Sequence, residues 1–238
     1  MPDISQKELD QLYETLKPLI GLRVDWLSIP EQALTGFEPS QVAVIVNTLI
    51  DGVLPQIELL ATNPDNADIL KKIGLNKAPG VLGEREGYPD YLHISGKRVE
   101  LKGHFVDNKK LKLKRPPTRR EPSARLKENI TIDIIQPDDD VLLIAAIQLV
   151  EIDGFCSPVI MDLGLFSIVE CIRARDKRLA DTGGQWINGK PRVISLKGLL
   201  KKRNGLDLTN DDYEADTNFG KLKRIPYEPV QKFLTKWT

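Results

Sequence analysis

Long apolar runs, cysteine and histidine are what this sequence has least of. No hydrophobic stretch reaches the about 18 residues needed to cross a bilayer as a helix, and the longest candidates are interrupted by Asp51 and Glu151. The first twenty residues carry Asp3, Glu8, Asp10 and Glu14 where a secretory leader would carry a basic and then an apolar block. Only two cysteines occur, Cys156 and Cys171, with no paired spacing, so a reduced, cytoplasmic setting with both as small core residues is expected. Two cysteines and two histidines (His93, His104) do not fall at ligand spacing, which argues against a structural zinc site. Net charge is also absent: 34 basic residues balance 34 acidic ones.

That balance hides an asymmetry. Between Lys97 and Lys127 there are twelve lysines and arginines but only three acids, Glu100, Asp107 and Glu121. Its densest part, Lys109 to Arg120, alternates Lys110, Lys112 and Lys114 with Leu111 and Leu113, a pattern that predicts a strand with one basic face. Pro116-Pro117 ends it and leaves Arg119 and Arg120 in a loop. Clustered basic charge binds nucleic-acid phosphates by counterion release, and arginine reads guanine bidentately. Lys109, Lys110, Lys112, Lys114, Arg115, Arg119, Arg120 and Arg125 are therefore the candidate DNA contacts, against the plainer reading of a solvated basic surface.

Just upstream, residues 87–103 read as a β-hairpin. Leu92 and Ile94 alternate with polar neighbours, Ser95-Gly96-Lys97 makes a turn, and Val99 and Leu101 alternate with Glu100 and Lys102. A turn there pairs residues whose numbers sum to about 191–193, which sets Asp90 opposite positions 101–103, beside Glu100 and Lys102. Loop parity decides the faces. An even loop puts Leu92, Ile94, Val99 and Leu101 on one side and Tyr91, His93, Glu100 and Lys102 on the other, turning Asp90 away from Glu100. An odd loop, or a kink at Pro89-Asp90, brings the two acids together. Two carboxylates and one ammonium at one end of a hairpin suit a hard divalent cation, held by one or two carboxylates with water and substrate phosphate completing its shell.

Pro89-Asp90 followed by Glu100-Leu101-Lys102 resembles the motif of the PD-(D/E)xK nucleases, and within them the type II restriction endonucleases. The resemblance covers about 17 residues, a short motif of few fixed letters. It implies that Asp90 and Glu100 bind magnesium with help from the Leu101 carbonyl, and that Lys102 is catalytic. It also implies a homodimer acting on double-stranded DNA at palindromic sites. The expected fold is α/β, with a restriction-endonuclease-like mixed central sheet flanked by helices and an N-terminal helical lobe. Residues 1–78 form that lobe within a single domain, and residues 79–238 the catalytic core, with segment 97–127 facing DNA. The rival functions are a repair or recombination nuclease on structured DNA and a non-catalytic nucleic-acid-binding module. Glu58, Glu84 and Glu86 are upstream acids for which a solvated role is the favoured reading.

Other elements follow from pattern. Ser5 to Glu8 is a capping box opening a helix through about Ile20, and Pro39-Ser40 opens a second that Gly52 and Pro55 interrupt. A short helix is expected over 67–73. Strands are expected over 130–135, 141–150, 159–161 and 193–196, an amphipathic helix over 165–179, and a terminal helix over 226–237. The 165–179 helix should present Arg173, Arg175, Lys177 and Arg178 on its polar side, and Asp138 to Asp140 should form an acidic turn.

Overall fold

The computed structural model describes residues 3–24, 27–53, 72–79, 87–114, 124–181, 186–187, 190–191 and 219–237. Ser5 caps helix α1 (Gln6–Leu16) in a reciprocal capping box with Glu8, and Leu9, Leu12 and Leu16 form its buried stripe. A 3-10 turn over Lys17–Leu19 follows, where Pro18 has no N–H to continue the helix. Helix α2 spans Pro39–Val53. Six strands make one sheet: β1 (Ile29–Pro30), β2 (Leu75–Lys77), β3 (Tyr91–His93), β4 (Arg98–Val106), β5 (Asp140–Ile152) and β6 (Phe155–Ser167), in the order β1-β6-β5-β4-β3-β2. All neighbours are antiparallel except β4 and β5, which run parallel, so the sheet is mixed and the architecture α/β. Helix α3 (Ile168–Asp181) follows β6 directly, a small hairpin pairs β7 (Trp186–Ile187) with β8 (Lys190–Pro191), and α4 (Glu228–Lys236) comes last.

Strand β5 explains the layering. Its residues are apolar on both sides, as a strand covered on both faces requires. Val141, Leu143, Ala145 and Ile147 join a core with α1, α2 and Val99, Leu101 and Phe105 of β4. Leu142 and Ile144 face the other way, into a second core with Phe166, α3 and α4. Alternation along β4 therefore sends Glu100, Lys102 and His104 to the α3–α4 face. Gly103 points to the α2 side, where a Cβ would lie 2.0 Å from Asn47 Oδ1, so the helix sits on the strand only because that position has no side chain.

Several sequence expectations change in three dimensions. The segment over 130–135 is no strand: Ile132–Ile134 forms a 3-10 turn whose Ile132 and Ile134 stay exposed, since no neighbouring strand offers them a face. Lys109 to Lys114 also lacks a ladder. Leu111 and Leu113 are buried and Lys110, Lys112 and Lys114 exposed, as alternation required, but the backbone bonds locally and to Phe37. Strand β6 is far longer than 159–161 and takes Leu165 to Ser167 from the expected helix. A two-residue Asp153-Gly154 turn, both residues at positive φ, locks it to β5. Arg175 turns inward at 2% exposure, donating to the Leu126 and Lys127 carbonyls and stacking over Phe219, so it is not part of a solvent face. Within the first 78 residues, β1 and β2 contribute strands to the two edges of the sheet. The segments 67–71 and 193–196, Glu58, Glu84 and Glu86 lie outside the described residues.

The seat of α2 on β4 can be measured. Gly103→Ala should cost about 1–3 kcal/mol by overpacking, and adding Asn47→Ala should recover most of that loss in a chemical-denaturation double-mutant cycle. Additive losses would show that the two residues do not meet.

Candidate active site

The hairpin register settles the parity. Tyr91 pairs with Val99 and Leu92 with Arg98, and the His93 N–H donates to the Lys97 carbonyl at 2.8 Å. Partners thus sum to 190, not 191–193, and the loop is the odd one, Ile94-Ser95-Gly96, with Gly96 at φ +87. A left-handed residue closing a three-residue loop is what glycine supplies without a Cβ clash. Extending the register by one puts Asp90 opposite Glu100 at a non-hydrogen-bonded pair, where side chains lie closest. Leu92 therefore joins the Glu100 side, while Tyr91 and His93 take the other, the reverse of the even-loop assignment.

One step further, Pro89 stands opposite Leu101. Proline has no N–H for the ladder to give the Leu101 carbonyl, and the Leu101 N–H is taken by Asp90 Oδ2 at 2.8 Å. Lys102 Nζ lies 2.5 Å from Glu100 Oε1 and 3.9 Å from Asp90 Oδ2. Asp90, Glu100 and Lys102 are thus gathered in one cluster on the α3–α4 face.

Glu100 is the unusual member. It is 3% exposed, and its Oε2 is buried without a hydrogen-bond partner. Burial pushes its carboxyl up to about 7, Lys102 pulls it down, and Asp90 pushes it up again. The Glu100 Oε2 has no donor, and an unmatched buried carboxylate oxygen is a position for a cation. Among the described residues no group of three or more His, Cys, Asp and Glu side chains gathers as a metal set. Two carboxylates still fit magnesium, which keeps much of its water.

Residues that pattern reading missed hold the cluster in place. Asp140, fully buried as the first residue of β5, accepts at Oδ2 from the Tyr88 hydroxyl at 2.7 Å and the Gln136 N–H at 2.9 Å. Its Oδ1 lies 3.1 Å from Arg98 Nε, and the Arg98 guanidinium sits over the Tyr88 ring. Burial, then Asp140, pushes the Tyr88 phenol up, so it stays a donor. This network pins the residue two before Asp90 to the strand that carries Glu100. The acidic triplet at 138–140 therefore divides. Asp140 is a buried anchor, while Asp139 and the Asp138 carbonyl receive Lys97, which also reaches Glu8. The only sequence signal for Asp140 was its place at the head of an apolar run.

The candidate DNA contacts are distributed differently. Lys109, Lys110, Lys112, Lys114 and Arg125 are exposed. Leu111 and Leu113 anchor the lysines in the core on the α1–α2 side, whereas Glu100 and Lys102 project to the other face. Arg115, Arg119 and Arg120 fall outside the described residues. No described helix is long and apolar enough to cross a membrane.

The Glu100 environment has a measurable signature. A carboxyl raised from 4.5 to about 7 keeps its proton in the folded state after the unfolded chain has lost it. Stability then falls as pH rises through that window and levels off above it. Glu100→Gln, which mimics the protonated acid, should change stability little at pH 5 and gain up to about 3 kcal/mol over the native chain by pH 8. Denaturant melts at the two pH values check this. A variant less stable at pH 8 than at pH 5, relative to the native chain, would mean that Glu100 is well satisfied as an anion.

The chain matches no family model, no curated protein and no solved structure.

Proposed function

We propose that this chain is a magnesium-dependent endonuclease that hydrolyses phosphodiester bonds of double-stranded DNA, working as a sequence-specific restriction enzyme. The observation that carries the reading is the convergence of Asp90, Glu100 and Lys102, with one Glu100 oxygen buried and unmatched. The mixed sheet flanked by helices is consistent with a restriction-endonuclease-like fold, which belongs to the same proposal.

Asp90 and Glu100 would hold the ion together with the Leu101 carbonyl, which the ladder leaves without a donor from Pro89. Bound there, magnesium supplies a water of lowered pKa and neutralises charge on the phosphate. Lys102 is kept beside both carboxylates and places its ammonium next to the reacting phosphate, where it stabilises the charge that builds on the phosphoryl oxygens. The Leu101 N–H fixes one Asp90 oxygen, so the acid cannot swing away from Glu100. In the reaction the water oxygen forms a new bond to phosphorus and gives its proton to solvent. The bond from phosphorus to the 3′ oxygen breaks, and that oxygen takes a proton from solvent, leaving a 5′ phosphate and a 3′ hydroxyl. A homodimer, with two such sites related by a two-fold axis, would cut both strands of a palindrome.

The test is cleavage of phage DNA with magnesium. The native chain should give discrete fragments, and Asp90→Asn and Lys102→Ala should each lose about a thousandfold in rate, the scale of a lost electrostatic stabiliser. Asparagine at 90 retains an acceptor for the Leu101 N–H, so its circular dichroism and melting should stay native. Full cleavage by either variant removes the assignment. Cutting confined to flaps and junctions would point to a repair nuclease instead.

A further inference from the structure

Arg98 opens the polar face of β4, two residues before Glu100 and four before Lys102. Its side chain is 17% exposed and is held from two sides. Nε lies 3.1 Å from Asp140 Oδ1, and the guanidinium carbon lies 5.3 Å from the centre of the Tyr88 ring. The Tyr88 hydroxyl donates to the same Asp140, so ring, carboxylate and guanidinium fix one another. Beneath them the Arg98 N–H donates to the Asp139 carbonyl at 2.8 Å, which anchors the backbone.

This grip uses only part of the guanidinium. Among the described residues, Nη1 and Nη2 donate to no protein acceptor. Nor are they sealed from solvent: the buried orphan atoms on this face are Glu100 Oε2, His104 Nε2 and Asp140 Oδ1. Neutralising Asp140 does not account for the arrangement. An arginine serving only as a counter-ion turns its fork onto the carboxylate and bonds both oxygens. Here Oδ2 is filled by the Tyr88 hydroxyl and the Gln136 N–H, while Oδ1 faces Nε without a hydrogen bond. The Nη hydrogens remain for an acceptor outside the chain. A planar fork, stacked on a ring and held at Nε, is preorganised for two oxygens of a phosphate.

We infer that the Arg98 fork is a phosphate-binding subsite for double-stranded DNA, gripping non-bridging oxygens of the phosphodiester next to the one that Asp90, Glu100 and Lys102 address. This rests on the nuclease reading and deepens it. A rise of about 3.3 Å per residue sets Arg98 about 7 Å from Glu100 along β4, with Lys102 equally far on the other side. The two cations therefore flank the acid rather than share one oxygen. Arg98 stands apart from the basic segment at Lys109 to Arg120, so clustering of charge in the sequence does not single it out.

The test is the salt dependence of duplex binding, read by fluorescence anisotropy with calcium in place of magnesium and with the duplex checked whole on a gel. Arg98→Gln combined with Asp140→Asn removes the ion pair as a unit, and asparagine still accepts from Tyr88 and Gln136, so melting should stay near native. The slope of log affinity against log salt should become shallower by about 0.9, one phosphate contact on duplex DNA. Asp140→Asn alone should keep the native slope. Arg98→Lys keeps a charge beside Asp140 but loses the fork, and should weaken duplex binding about tenfold at an unchanged melting temperature. A purely structural Arg98 would move the melting temperature and leave the slope alone. Native slope in the double variant together with native affinity in Arg98→Lys overturns the subsite, as does a native chain that binds no duplex. Calorimetric titration with inorganic phosphate separates the other source: phosphate binding that needs Arg98, beside a duplex slope that does not, assigns the fork to free phosphate and overturns the DNA contact. Cleavage with magnesium is scored apart from binding. A chain that cuts DNA while its Arg98 variants bind duplex as the native chain does loses this inference alone. A chain whose duplex slope depends on Arg98 but which never cuts keeps the phosphate contact and loses the nuclease.

Discussion

The structure turns on a carboxylate that has been taken out of water. Glu100 sits on a strand with neighbours on both sides, under a face closed by Tyr88 and the α3–α4 core, and its charge meets one lysine and a second acid. Removing such a group from solvent costs several kcal/mol unless it is fully paired. Here it is half-paired. A protein built only for stability would put an apolar residue at this position, as it does at Val99 and Leu101 on the other face of the same strand. The arrangement makes physical sense if the missing partner is a cation that arrives from outside.

What keeps that arrangement in register is a turn of three residues. Because Gly96 takes a left-handed conformation, the hairpin pairs residues summing to 190, and Asp90 falls on the Glu100 side. A loop one residue shorter or longer would send Asp90 to the opposite face and dissolve the cluster. The same strand pair is also fixed by a second set of contacts. Asp140 reaches from β5 to Tyr88 and Arg98, so the segment entering at Pro89 and the strand leaving at Arg98 are tied to the parallel neighbour of β4. Two constraints, a turn and a buried network, thus hold the three side chains of the cluster together.

Much of this was readable in the residues, and the failures have physical causes. The capping box at Ser5 and Glu8, the apolar run at Val141 and the alternation around Glu100 are local signals, and each gave the right element. Loop parity was not local. It depends on whether Gly96 or its neighbours bend, which composition alone does not decide. The strand expected at Ile130 to Ile135 failed because β-branched residues favour strands only where a neighbouring edge receives them. Leu165 to Ser167 went to β6 because the Asp153-Gly154 turn extends that strand to its full length. Arg175 looked like a surface charge by spacing, yet two carbonyls, Asp176 and an aromatic ring hold its guanidinium inside. Asp140 hid within an acidic triplet whose other two members do sit in a turn.

The two faces of β4 now carry different tasks. Val99, Leu101, Gly103 and Phe105 lie against α2 and the larger core, and the absent side chain at 103 lets the helix come close. Arg98, Glu100, Lys102 and His104 occupy the second face, where Leu142, Ile144 and Phe166 supply a low-dielectric wall. Charges against such a wall act on one another and on a ligand more strongly than they would in water. A polar row of alternating sign, Arg98, Glu100 and Lys102, would be a poor way to hold a sheet together. It is a suitable way to grip something that itself alternates cation and anion, as a hydrated metal on a phosphate backbone does. The period of two along a strand, which first suggested that Glu100 and Lys102 point the same way, therefore accounts for the whole row.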